Sequence, residues 1–228
     1  MTVQASQIIA RARTQLIDTG AVERWTDEEM LKWLSDGQRA AVAIAPATSA
    51  TITVSPLVAG TKQSIPTDGY MLLTITRNMG VSRTTPGRAC RIVSREVMDA
   101  FDPDWHTNVP AVSIKNYLFE PTLPRVFYVY PPSDGTGSVE ISYSVMPVEL
   151  TSVTDTIGLT DVYQTALLDY LLYRCYQKDS DFSAGQGLAA LYLQSFITFV
   201  SSGENSQVAS NPNIQLAPSE LGSKAGAK

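Results

Sequence analysis

The sequence predicts an α+β protein, because helical periodicity near both ends of the chain brackets a middle region with the alternation of β-strands. Apolar residues recur every three or four positions in residues 1–47 and again in 158–202. Between them, apolar and polar residues alternate in short runs separated by turn residues. We therefore expect a four-helix body from the N- and C-terminal helix pairs (1–47 and 158–202), an antiparallel β-rich insert (48–157) and an extended C-terminal arm (203–228).

The first helix pair has clear start and stop signals. Residues 3–18 form an amphipathic pattern, and Gly20 follows as a plausible C-terminal stop. The second helix begins with Thr26 as N-cap and Glu29 three residues later, which is the capping-box pattern. Pro46 ends this helix. The short connection predicts an αα-hairpin.

The β-rich insert is clearest at residues 138–145, where apolar side chains occupy one face and polar side chains the other. This pattern is typical of an antiparallel strand with one face exposed to water. In residues 51–55, Ile52 and Val54 share one face. Further predicted strands lie at 70–76, 89–93, 113–119 and 126–130, with a short helix at 95–101.

The C-terminal helix pair begins at Thr160, a predicted N-cap, with Asp161 in the first turn. Residues 183–202 contain no charged side chain. Since a helix on the surface of a soluble monomer normally carries charges on its wet face, we expect burial against the rest of the domain and against another subunit. The predicted subunit interface comprises Leu168, Leu172, Tyr176, Leu191, Tyr192, Phe196 and Phe199.

The predicted arm, residues 203–228, is too poor in apolar residues to form its own core, so we expect it to be disordered or loosely extended in a free monomer. Its apolar residues are spaced along the chain: Val208, Ile214, Leu216 and Leu221. Two interpretations stay open. These residues have no particular role, or they form a docking arm that becomes ordered on a partner.

The composition limits the possible classes of protein. The 228 residues suffice for one large domain or two small ones, and the formal net charge of −5 argues against tight binding to nucleic acid phosphates. No run approaches the roughly 18 apolar residues of a membrane span, and the start lacks a signal-peptide core. Cys90 and Cys175 are expected to be reduced, buried and structural, in a chain of intracellular origin.

Motifs for catalysis are absent from the sequence. It has no phosphate-binding glycine loop and no nucleophile elbow, and its single histidine excludes two-histidine metal motifs. Asp102, Asp104 and His106 cluster in a proline-containing loop, where aspartate favours turn geometry. We predict no catalytic residue, metal ligand or cofactor, with an acid–base or metal role for this loop as the alternative. Trp25 and Trp33 are expected to pack in the core.

Two helical blocks resemble a known family. Residues 24–38, RWTDEEMLKWLSDGQ, on to Pro46, and residues 167–180, LLDYLLYRCYQKDS, are similar to the corresponding helices of tailed-bacteriophage head-to-tail adaptor (connector) proteins of the tail tubular A type. The order of helix pair, β insert, helix pair and tail also resembles these adaptors. The β insert itself has no matching signature.

The resemblance implies a structural virion protein in the neck or tail, assembled in the host cytoplasm. Such adaptors form a homo-oligomeric ring, typically a dodecamer, beneath the portal protein. They join the portal to the tail tube or nozzle and line the channel through which DNA is ejected. Their C-terminal arms commonly bind the portal, which would assign Val208, Ile214, Leu216 and Leu221 to that contact.

Two alternatives remain at this stage. The chain is another virion ring component, such as a tail-completion protein that forms the oligomer without binding a portal. Alternatively, it is a ligand-binding or enzymatic β domain with a helical cap, which a deep polar pocket around Asp102 and His106 would favour.

Overall fold

The computed structural model describes residues 3–20, 23–179 and 183–209. The chain divides into two compact units. The helical unit comprises Met1–Ala45 and Val148–Lys228, and the sandwich unit comprises Pro46–Pro147. Helices in one unit and two sheets in the other confirm the predicted α+β class.

The elements follow in chain order. The helices are α1 (Ala5–Leu16), α2 (Asp27–Ile44), α3 (Arg95–Phe101), α4 (Gln164–Lys178) and α5 (Ser183–Ala209). The strands are β1 (Ala50–Pro56), β2 (Gly60–Ser64), β3 (Gly69–Asn78), β4 (Arg91–Ile92), β5 (Asn116–Phe119), β6 (Val126–Ser133) and β7 (Ser138–Val145). Short 3-10 turns lie at Pro46–Ser49, Trp105–Thr107 and Asp161–Tyr163.

The start of α2 matches the prediction, because Thr26 and Glu29 form a complete capping box. The stop of α1 does not. The helix ends at Leu16, and its C-cap Ile17 adopts the left-handed conformation with φ 57°, three residues before Gly20. A backbone hydrogen bond from the Asp18 N–H to the Arg13 carbonyl at 2.9 Å closes this turn, and the Arg13 guanidinium also bonds the Asp18 carboxylate at 2.9 Å.

Helix α4 is the centre of the helical unit, where it contacts α1, α2 and α5. The predicted N-cap Thr160 precedes the 3-10 turn and makes no side-chain capping bond. The α-helix α4 begins after that turn, at Gln164. The chain leading into α4 is held by two buried side chains of α2. Ser35 Oγ accepts a hydrogen bond from the Leu150 N–H at 2.9 Å. Gln38 Oε1 accepts one from the Gly158 N–H at 2.7 Å.

Helix α5 extends further than predicted. The arm was expected to begin at Gly203, but the helix continues to Ala209. Adding residues to a formed helix costs much less than nucleating one, so a polar segment that forms no core of its own can prolong it. Residues 210–228 lie outside the described residues.

The sandwich unit packs two sheets against each other, with strand orders β1-β7-β3 and β2-β6-β5-β4. All pairs are antiparallel except β4 with β5. The core between the sheets includes Ile75, Phe127, Val129 and Ile141, all almost fully buried. Helix α3 and the 105–107 turn accompany a second, smaller cluster of Met98, Trp105 and Leu118.

In strand β1, the face shared by Ile52 and Val54 points away from the core. Thr53 lies opposite Ile141 of β7, whose side chain is in the core, so the threonine face of β1 is the inner one. Ile52 is 68% exposed. Alternation in the sequence showed two faces here, but the more apolar face is the outer one.

One buried amide ties three parts of the sandwich unit together. Asn78 is 2% exposed and stands at the end of β3. Its Oδ1 accepts a hydrogen bond from the Ile114 N–H, and its Nδ2 donates to the carbonyls of Ile114 and Arg88, each at 2.8 Å. The side chain therefore satisfies backbone groups of two neighbouring loops.

We expect Asn78→Leu to lower the free energy of unfolding by about 2–4 kcal/mol, because the buried N–H and carbonyl of Ile114 lose their side-chain partner. Urea denaturation of the full chain measures this loss. Thr76→Leu, at an exposed position of the same strand, is the control and should change stability by less than about 0.5 kcal/mol. An equal effect from both variants would contradict the role of Asn78.

A second prediction concerns the close approach of α2 and α4. A Cβ added at Gly37 would lie 2.8 Å from Cδ1 of the buried Tyr170 ring, whereas one added at Gly187 in α5 would meet no atom within 4 Å. Both glycines are in helices, where alanine is intrinsically preferred by about 1 kcal/mol. We expect Gly187→Ala to raise the melting temperature and Gly37→Ala to lower it. Stabilisation by both would show that the α2–α4 contact is not tight.

Candidate interaction surface

Helix α5 attaches to the helical unit by one side. Phe196 and Val200 are almost completely buried. The Phe196 ring packs edge-on against Tyr170 of α4 with 5.0 Å between centroids, and Tyr192 stacks on Tyr176 at 5.7 Å. These contacts fix which half of α5 faces α4.

The opposite half of α5 is exposed and, as far as residue 203, uncharged. Leu188, Leu191 and Ile197 are 40%, 68% and 38% exposed, and Gln194 and Thr198 lie exposed between them. We call these five residues the α5 outer face. No formal charge occurs from residue 183 to 203. Exposed aliphatic side chains without surrounding charges are typical of a surface that another protein covers.

The seven residues predicted for the subunit interface divide into three groups by exposure. Leu168, Leu172 and Phe196 are buried inside the helical unit. Tyr176, Tyr192 and Phe199 are partly buried by ring contacts within the unit, and Leu191 alone is prominently exposed.

Sequence reasoning did not select Leu188 or Ile197, which are exposed in the structure. Periodicity identifies apolar positions but not which apolar position faces a neighbouring helix of the same chain. The sequence signal that could have indicated an exposed contact surface on the outer half of α5 was the lack of charge from residue 183 to 203.

A groove of about 410 Å³ lies between α4 and α5. It is lined by Tyr173, Gln177, Gln186, Ala189, Ala190 and Leu193. The lining side chains are uncharged at neutral pH. The groove continues the uncharged surface beside the α5 outer face and has room for a side chain of a partner.

One group of ion pairs in the helical unit lies where α2 meets the end of α4. Lys178 donates to Glu29 at 2.5 Å, which lowers the pKa of the Glu29 carboxyl, and Arg24 pairs with Asp179. Lys178 also lies 5.9 Å from the ring centre of Trp33. Trp33 is thus only half-buried, beneath a cation, whereas Trp25 is buried in the core as expected.

The predicted arm residues are described only in part. Val208 falls within the α5 helix, but its side chain is outside the described residues. Ile214, Leu216 and Leu221 lie outside the described residues entirely.

A comparison with protein families decides the identity of the chain. A family model described as SU10 adaptor protein matches residues 3–215, which include both helical blocks and the whole β insert. The chain belongs to the SU10 adaptor protein family. No curated protein matches the chain. Membership makes it a phage adaptor, a structural component of the virion that interacts with other virion proteins.

Two kinds of feature have no candidate among the described residues of this adaptor. None of the helices in the described ranges is long and apolar enough to cross a membrane. Among the same residues, no group of three or more histidine, cysteine, aspartate or glutamate side chains is placed to hold a metal ion.

The loop that was the candidate for acid–base chemistry makes structural contacts in the adaptor. The His106 ring stacks on Trp105 with 3.7 Å between centroids, and its Nδ1 lies 2.9 Å from Thr61 Oγ1. Trp105 is 1% exposed and donates from Nε1 to Asp99 at 2.9 Å. Asp102 accepts a hydrogen bond from Asn108 at 2.5 Å. These contacts place the His106 ring, the Trp105 indole and the Asp102 carboxylate within the packing of the loop.

Both cysteines of the adaptor are free and buried. Burial raises the pKa of the Cys90 thiol to about 11 and that of Cys175 to about 12. Because the thiolate is the reactive form, neither side chain is suited to act as a nucleophile at neutral pH.

We expect the native adaptor to leave both thiols unmodified by an aromatic disulfide reagent at pH 8, over a time in which a urea-denatured sample reacts at both. Absorbance of the released thiolate reports the number of reacted cysteines. Rapid reaction of one thiol in the folded chain would contradict its burial.

Proposed function

We propose that this adaptor forms a homo-oligomeric ring, typically a dodecamer, that joins the portal protein to the tail tube or nozzle. In this proposal the helical unit supplies the contacts between subunits and the sandwich unit contacts the tail-side partner. The C-terminal arm binds the portal, and the ring lines the channel through which DNA leaves the head.

The observation that supports the ring most directly is the α5 outer face. An exposed helix side with three large aliphatic residues and no charge is costly for a free monomer and favourable in a subunit contact. Subunits related by rotation bury such a face against a different surface of the next copy, and a closed ring leaves no such face uncovered. The uncharged α4–α5 groove is a candidate for the receiving surface.

The overall charge is compatible with a channel for DNA. The chain has 22 acidic residues against 17 lysines and arginines, which gives a formal net charge of −5. A wall without excess positive charge would let the duplex pass without forming the phosphate contacts that retain DNA on a protein.

The first test replaces an exposed residue of the α5 outer face. We expect Leu191→Glu to prevent ring assembly on purified portal protein while the circular dichroism and melting temperature of the free chain stay unchanged. A buried charge at a subunit contact costs several kcal/mol, and the ring repeats that cost at every contact. Native mass spectrometry with and without portal measures the assembly.

The control is Val162→Glu, because Val162 is 65% exposed against 68% for Leu191 and lies in the same unit but outside α5. It should assemble like the unmodified chain. Normal assembly of Leu191→Glu would exclude the α5 outer face from the ring contact. A ring that forms but never binds portal would favour a tail-completion protein instead.

The second test removes the arm. A chain that ends after Ala209 keeps all of the described α5, so we expect it to fold and to retain its melting temperature while losing most of its attachment to the portal. Co-sedimentation with portal rings measures attachment. Undiminished attachment would remove the arm from the portal contact.

A further inference from the structure

Helix α3 packs on the outer face of the β2-β6-β5-β4 sheet, the face turned away from the core between the two sheets. Leu118 of β5 lies opposite Tyr128 of β6, and both pack in the small cluster with Met98 of α3. Asn116, two residues before Leu118, shares that face of the sheet and lies opposite Tyr130. The row of Asn116 and Tyr130 is thus next to the row on which α3 packs.

An uncharged groove of about 190 Å³ lies along this second row, between the sheet and one side of α3. It is lined by Val93, Val97, Met98, Phe101, Asn116 and Tyr130. Val97 and Phe101 stand four residues apart on one side of α3 and are 60% and 76% exposed. Because sites for small molecules usually have about 300–1,000 Å³, the groove suits one large side chain of a partner protein.

Positive side chains lie at the edge strand beside the groove. Arg91 of β4 lies directly across from Asn116, a residue of the groove. Lys115 precedes Asn116, and its carbonyl accepts a hydrogen bond from the Arg91 N–H at 3.2 Å. Arg88 is three residues before Arg91, and all three cationic residues are exposed. Within the residues that the structure describes, no ion pair includes any of them.

The sequence around β4 is basic although the whole chain is acidic. From residue 69 to 95 there are five arginines and no aspartate or glutamate, in a chain with a formal net charge of −5. Arg77 pairs with Glu140 at 3.0 Å, and Arg95 pairs with Glu120 at 3.2 Å. The other three arginines are exposed. An apolar groove beside such cations is complementary to an acidic segment that carries an apolar anchor.

We propose that this groove binds an acidic segment of the tail-side protein, with one large apolar side chain of that segment inserted between α3 and the sheet. Carboxylates of the segment pair with Arg88, Arg91 and Lys115. The inference rests on the proposed contact of the sandwich unit with the tail and names the part of the unit that makes it. Duplex DNA offers phosphates to the cations but no side chain to the groove, so a protein partner accounts for both features.

Binding of the purified tail-side protein to the full-length adaptor, measured by biolayer interferometry, tests the groove. Phe101→Ser removes one wall, so we expect the Kd to rise at least about tenfold. Arg91→Glu should raise the Kd by a similar factor at low salt, and its binding should depend less on salt than that of the unmodified chain. Both residues are exposed, so the melting temperature should stay unchanged.

Three control variants separate the groove from general effects. Leu123→Ser changes an apolar residue that is 50% exposed in the turn between β5 and β6. Lys62→Glu reverses an exposed charge on β2, the opposite edge strand of the same sheet. Arg91→Lys keeps the positive charge. All three should bind the tail-side protein within about threefold of the unmodified chain, which is less than 1 kcal/mol. Tail binding by Phe101→Ser and Arg91→Glu that equals that of these controls would overturn the proposal.

Two further measurements distinguish this proposal from others. Phe101→Ser and Arg91→Glu should assemble on portal rings like the unmodified chain, because both residues lie in the sandwich unit. An unmodified adaptor that does not bind the tail-side protein would overturn the tail contact of the proposed function together with the groove, whereas binding retained by both variants overturns the groove alone. Weaker retention of duplex DNA by Arg91→Glu, with unchanged tail binding, would assign the arginines to DNA and also overturn the proposal.

Discussion

The helical unit depends on the burial of α4. Leu167 and Leu171 are fully buried, and the helix contacts α1, α2 and α5. Side chains on nearly every side of α4 are therefore used within the chain. Its tight contact with α2 requires Gly37, because a larger residue would meet the Tyr170 ring. The two helix pairs, far apart in sequence, become one structure through this element.

The central position of α4 places α5 on the outside. One side of α5 completes the cover of α4, and its other side has no described neighbour that buries Leu191. Because both halves are uncharged from residue 183 to 203, this part of the helix has the composition of an internal element but the position of a surface element. That mismatch supports the proposal that subunits of this family member contact each other through α5.

Local signals in the sequence predicted the parts of the fold that depend on local physics. The capping box of Thr26 and Glu29 arises within a few residues and matches the structure. The apolar face of β7 lies in the core as its alternation indicates, but the predicted exposure of its polar face to water is wrong, because β7 is the central strand of its sheet and Ser138 and Ser144 are buried. Leu168 and Phe196 were predicted to face another subunit but are buried inside the helical unit. Periodicity shows that a residue lies on an apolar face, but not whether that face packs against the same chain or another. The stop at Ile17 is a left-handed cap on a residue other than glycine, which no local signal predicted. Arg13 bonds Asp18 and the Trp25 carbonyl beside this cap, and the contact with Trp25 joins residues 12 positions apart.

The absence of charge from residue 183 to 203 has a consequence for assembly in different solvents. At physiological ionic strength, dissolved ions screen most of the attraction between exposed charged groups more than about 8 Å apart, but they have little to act on in a contact of leucine, isoleucine, glutamine and threonine. Salts such as sulfate strengthen apolar contacts. If subunits contact each other through this surface, their assembly should persist at both high and low salt concentration.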